Sequence, residues 1–86
     1  LTVFTRQLAT ISQVSPLEES LRLIARQSEQ DHVRAIVTQV ADGVVEGRRL
    51  ADAMSRESKS FPPLYRAMVS AGESSGTLPE ILERLA

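Results

Sequence analysis

The sequence predicts an all-α fold, an antiparallel bundle of about six short helices, and three observations carry that prediction. Apolar residues recur at intervals of three and four along nearly the whole chain, the spacing of one helix face, and no useful run alternates with period two. Prolines and glycines punctuate these apolar runs in the order helices require, proline at starts (Pro16, Pro63, Pro79) and glycine at ends (Gly47, Gly72). The connections between runs are brief, which favours antiparallel neighbours.

Phe4, Leu8 and Ile11 stripe a first helix. Leu17, Leu21 and Ile24 stripe a second, whose start at Ser15-Pro16-Leu17-Glu18 reads as a capping box with the Ser15 hydroxyl as cap and Pro16 in the first turn. Val33, Ile36, Val37, Val40 and Val44 form a third, longer face ending at Gly47, a left-handed stop. Gly43 lies inside that helix, where glycine costs about 1 kcal/mol against alanine, so a close helix crossing is expected there. Leu50, Ala53 and Met54 mark a short fourth helix, and the polar segment from Arg56 to Ser60 interrupts the pattern. Phe61-Pro62-Pro63 opens a fifth helix carrying Leu64, Tyr65, Met68 and Val69, with Gly72 as its end. The sixth starts at Thr77, where Thr-Leu-Pro-Glu repeats the capping-box pattern with Glu80, and Leu78, Ile81, Leu82 and Leu85 supply its face.

Eighty-six residues make one small domain. A chain of this size buries roughly 60 to 65% of the surface its unfolded form exposes. With no cysteine, neither a disulfide nor a thiolate metal site reinforces it, and stability rests on packed apolar faces. Ten basic against eleven acidic residues leave a net charge of -1, which removes the attraction a dedicated nucleic-acid or anionic-membrane binder needs. Phe4, Phe61 and Tyr65 are the only aromatic residues, too few for a base-stacking platform. No apolar run reaches bilayer length, so the reading is a soluble domain. The chain opens on Leu1 and stops at Leu-Glu-Arg-Leu-Ala in mid-pattern, from which excision from a longer protein is expected.

Chemical motifs are few. Gly72-Glu73-Ser74-Ser75-Gly76 fits the G-x-S-x-G pattern of a nucleophile elbow, which needs a strand before the serine, a helix after it and a histidine base. Helical sequence precedes Ser74, and the one histidine, His32, begins another helix beside Asp31, so a connector is expected instead of a serine hydrolase. A phosphate loop is excluded because Thr77, not lysine, follows Gly76. Glu73, Ser74, Ser75 and Thr77 offer oxygen donors of the class Ca2+ prefers. One carboxylate falls far short of the about six to eight ligands such an ion takes, so a calcium site at Glu73 needs ligands from another helix or chain. Glu18-Glu19 reads as a helix N-terminus complementing its dipole. No catalytic residue and no cofactor are expected. Nine of the ten basic residues are arginine, the better residue for forked carboxylate contacts, and Arg48, Arg49 and Arg66 are the expected docking face for an acidic partner. Self-association through an exposed helix face, as a homodimer, is a further expectation.

Four stretches carry a family resemblance: FTRQLATI near the start, PLEESLRLIA, the run from Gly47 to Met54 containing LADAM, and FPPLYRAMVSAGESSGTLPEILERLA. Together they resemble the cytoplasmic domain of the inner-membrane platform protein F family of type II secretion systems, whose relatives are the platform proteins of type IV pilus machines. The resemblance covers nearly the whole chain, and its most specific part is the signature turn with Gly72, Glu73, Ser75, Gly76 and Leu78. The opening stretch is more similar to the first than to the second of the two six-helix cytoplasmic domains that the family carries. This sequence departs from the family pattern twice: the glycine usual before Pro16-Leu17 is missing, and Arg49 stands where a small capping residue precedes the LADA run.

The resemblance implies a non-enzymatic adaptor on the cytoplasmic side of the bacterial inner membrane. It would contact the secretion ATPase and its membrane recruiting partner and help couple them to pseudopilin assembly, with the membrane reached through other segments of a longer protein. An equivalent role in a type IV pilus machine is the alternative. Arg49 without its usual cap implies a weak start to the fourth helix.

Overall fold

The structure, a computed structural model describing residues 1–86, is built from six helices and contains no strand: α1 (Thr2–Ile11), α2 (Leu17–Gln27), α3 (Asp31–Val45), α4 (Leu50–Ser55), α5 (Pro63–Ser75) and α6 (Leu78–Leu85). This is the all-α bundle that the three-and-four spacing predicts. Each helix packs on the next in the chain and α6 returns onto α1, so the six close into a circuit around one core. Sixteen buried apolar side chains fill it, among them Leu8, Leu21, Val40, Leu50, Met54, Val69 and Leu82 with no exposed surface at all. None of the helices is long and apolar enough to cross a membrane.

Two helix ends use the same construction. Gly47 and Gly76 adopt left-handed backbone with φ of 97° and 74°, conformations that an L side chain resists. At each end, the amide of the residue after that glycine reaches back five positions: Arg48 to the Gly43 carbonyl at 3.0 Å, and Thr77 to the Gly72 carbonyl at 2.9 Å. That bond satisfies a carbonyl the helix would otherwise leave open. Gly43 and Gly72, four residues earlier in both cases, let the next helix approach. A Cβ on Gly43 would stand 2.9 Å from the Ala53 Cβ in α4, and one on Gly72 would meet the Leu78 Cα at 3.0 Å and Ile81 at 3.1 Å in α6.

Gly72 is therefore not the end of α5: the helix runs on to Ser75, and Gly76 stops it. Both capping boxes are also absent. Helix α2 begins one residue later than predicted, with Pro16 at the cap position, so Ser15 stands one residue too early for its hydroxyl to reach the first-turn amides. Thr77 does occupy the cap position of α6, but its hydroxyl is turned to Ser75 Oγ at 2.6 Å and makes no cap bond. Leu64, expected on the apolar face of α5, is 74% exposed; Tyr65, Val69 and Gly72 line the buried face instead.

The three aromatic rings form a single cluster. Phe61 lies 5.7 Å from Phe4 and 5.7 Å from Tyr65, in tilted arrangements that favour ring edges against faces. All three are buried. Tyr65 also reaches α1 through its hydroxyl, 2.7 Å from Thr5 Oγ1, which in turn donates to the Leu1 carbonyl at 2.7 Å. Thr5 has one hydroxyl proton, so when it serves Leu1 the phenol must be the donor to Thr5.

Candidate functional site

The signature turn and the expected docking arginines meet at the junction of α4 and α5. Helix α4 has six residues, and its cap position is Arg49, which supplies no side-chain cap of its own. A helix this short leaves most of its amides without intrahelical partners. Glu73, in the last turn of α5, fills the gap: its carboxylate accepts from the Leu50 amide at 2.6 Å and the Ala51 amide at 2.9 Å. The cap thus arrives from a residue 23 positions away in sequence. A carboxylate at a helix N-terminus also complements the positive end of the dipole.

Arg49 closes the junction from the other side. One of its terminal nitrogens donates to the Ser70 carbonyl at 3.0 Å and to Ser74 Oγ at 2.8 Å, and its Nε lies 3.9 Å from the Glu73 carboxylate. The Glu73 side chain is 14% exposed and that of Arg49 49%, so the pair straddles the surface. Arg49 is not the defect the sequence suggested at the start of α4, because Glu73 does the capping.

Ser74, the serine of the elbow pattern, sits inside α5 and accepts from Arg49. The strand-turn-helix geometry that exposes a nucleophile is not present here. His32 lies in the first turn of α3, beside an apolar depression bordered by Leu1, Phe4, Val33 and Phe61. For Glu73 as a calcium ligand, the geometry is that both carboxylate oxygens already face backbone amides, and no group of three or more His, Asp or Glu side chains converges anywhere in the chain. Ser75 bonds back to the Ala71 carbonyl at 2.9 Å, and Leu78 packs at the edge of the core.

The three expected docking arginines are differently employed. Arg66 donates from Nε to the Phe61 carbonyl at 3.0 Å, tying down the turn that enters α5. Arg49 is engaged as described, and Arg48 is exposed, with Glu46 at 3.6 Å as its ion-pair partner. Sequence reading did not find the role of Glu73. The available signals were an uncapped helix at Arg49 and an acidic residue in the next long helix, but which acid reaches which amide depends on how α4 packs on α5.

Residues 4–86 match the family model described as Type II secretion system (T2SS), protein F. The chain is 47% identical over its full length to the Type II secretion system protein F of Vibrio cholerae, covering 21% of that protein. It is 46% identical over its full length to the Type II secretion system protein F of Aeromonas hydrophila, covering 22% of it. Against the Type IV pilus assembly protein TapC of Aeromonas hydrophila the identity is 38%, over 98% of this chain and 21% of that protein. The chain thus spans about a fifth of the length of the curated relatives it matches.

Proposed function

Because the chain belongs to the type II secretion system protein F family, we propose that it is a non-catalytic docking domain of a secretion platform at the cytoplasmic side of the inner membrane. In this role it contacts the secretion ATPase and its recruiting partner and helps couple them to pseudopilin assembly, while other segments of a longer protein engage the membrane. The observation that carries the proposal is the family match across nearly the whole chain. The geometry supports it: the polar residues with the strongest chemical character at the signature motif, Glu73 and Ser74, are spent on holding α4 against α5. What the bundle offers outward is shape and charged side chains. Of the arginines expected to dock a partner, Arg49 and Arg66 donate hydrogen bonds within the domain, while Arg48 and Arg49 are both exposed and Arg48 makes only an ion pair with Glu46.

The secretion branch is favoured over the pilus branch by the two Aeromonas hydrophila proteins. They come from one organism, so lineage is held constant, and the secretion protein is the more similar. The test is co-purification of the ATPase and its recruiting partner with the full-length protein. Removing residues 1–86 in frame should abolish capture of both and stop secretion while the remainder stays in the membrane. Retained capture would overturn the docking role. A serine-reactive fluorophosphonate probe should leave the chain unlabelled; labelling lost in Ser74→Ala would replace the docking reading with a hydrolase.

A further inference from the structure

We propose that the cleft between α2 and α3 is where an acidic segment of a partner protein docks, gripped by Arg26 and Arg34 with Arg22 beside them. This deepens the docking role above and rests on it. Arg22 and Arg26 are four residues apart on α2, and Arg34 and Thr38 four apart on α3, so each pair lies on one helix face. Packing of α2 on α3 brings the two faces together around a depression of about 160 Å3. Its lining is Arg22, Ala25, Arg26, Arg34 and Thr38, of which Ala25 is buried. No carboxylate lines it.

Gathering cations in this way has a cost. Like charges at i and i+4 destabilise a helix, and α2 places Arg22 and Arg26 in that relation. The chain has acids in sufficient number to neutralise them, 11 against 10 basic residues. Yet of the four ion pairs in the structure none includes Arg26 or Arg34. Both are exposed. Arg34 gives one terminal nitrogen to the Ser28 carbonyl at 2.6 Å, which fixes its direction and leaves other N–H donors of its fork open. Arg22 is held in place by Glu18 at 3.2 Å and Asp42 at 3.0 Å, whose hydrogen bonds, that of Asp42 first, raise its already high pKa. The cleft therefore holds one oriented guanidinium with donors to spare, Arg34, facing a second, Arg26, that has no acceptor in the structure.

A forked guanidinium matches a carboxylate, and two such groups on facing helices around one shallow depression match successive acidic side chains of one peptide segment. An anionic membrane fits less well. Attraction to a lipid surface grows with each basic residue near it, and here Glu18 and Asp42 stand beside Arg22 in a domain of net charge -1. The arrangement favours short-range forked contacts over a long-range field.

The 15N-labelled chain titrated with a hexaglutamate peptide tests the cleft directly. Arg26 and Arg34 side-chain Nε–H signals should shift, Arg26→Gln with Arg34→Gln should weaken binding about tenfold or more, and Arg84→Gln, at an exposed position on α6, should leave it unchanged. Both cleft residues are exposed and only Arg34 makes a hydrogen bond within the domain, to the Ser28 carbonyl, so the double variant should stay folded and melt close to the wild type. Equal binding by the double variant, or tighter binding to phosphatidylglycerol vesicles than to the peptide, would overturn the proposal. In the full-length protein, Arg26→Glu with Arg34→Glu should release the ATPase or its recruiting partner. Retained capture by that variant, together with loss of capture on removing residues 1–86, would reject the cleft and leave the docking role standing.

Discussion

Glu73 joins two helices through two short bonds, and its value follows from what would be left behind without it. The Leu50 and Ala51 amides lie at the start of a helix too short to satisfy them internally. Losing an N-terminal cap costs about 0.5 to 2 kcal/mol, and orphaning buried donors about 1 to 3 kcal/mol. Glu73→Ala should therefore lower stability by about 1 to 3 kcal/mol. Glu73→Gln, keeping one acceptor oxygen, should lose less. Hydrogen exchange at the Leu50 and Ala51 amides should quicken in both, and unchanged exchange would refute the cap. Tyr65 gives a second prediction at this scale. Burial pushes its phenol above the ordinary value of 10.0, and a Thr5 hydroxyl turned to donate to the phenolate opposes that rise. The neutral phenol is then favoured by the folded state, so its contribution is fully present below about pH 10 and is lost as pH rises through the higher folded value. Thermal melts across alkaline pH should show a fall that Tyr65→Phe flattens. Tyr65 is the only tyrosine and there is no cysteine, so few other groups confuse this window.

Between helices, the repeated Gly-x-x-x-Gly at Gly43 to Gly47 and Gly72 to Gly76 sets how consecutive elements meet. The first glycine of each admits the next helix and the second ends its own. Alanine at Gly43 or Gly72 should gain about 1 kcal/mol of helix propensity but meet neighbours closer than a methyl tolerates, and overpacking costs about 1 to 3 kcal/mol. A net loss is expected, larger at Gly72, where the obstacle includes the backbone of α6. Denaturant midpoints would measure it. Gly76→Val should also destabilise, because a β-branched residue resists the φ of 74°. These junctions mark the boundary of what was legible in the sequence. Helix number and most core positions follow from apolar spacing, which is a local property, and the close crossing at Gly43 followed from the cost of an interior glycine. The end of α5, the missing capping boxes and the exposure of Leu64 depended on contacts with other helices. For the same reason the candidate site was only half visible: its residues could be named from the sequence motif, but Glu73 acts on amides 22 and 23 positions away.

As a whole, the molecule is a closed circuit of helices whose interior holds every aromatic ring and whose surface carries nearly all its charge. Phe4, Phe61 and Tyr65, the only aromatic residues, are all buried in one cluster. Each helix is held by two neighbours, and α4, the shortest, is additionally clamped by Glu73 and Arg49. The central claim is that this domain docks the secretion ATPase or its recruiting partner. Photo-crosslinking in cells tests it most directly, with a crosslinking amino acid placed singly at exposed positions such as Gln27, Ala35, Gln39 and Arg48 of the full-length protein. The account predicts adducts with one of those two partners, strongest at the positions flanking the α2–α3 cleft. Adducts to them from other parts of the full-length protein, with none from any position in residues 1–86, would contradict it.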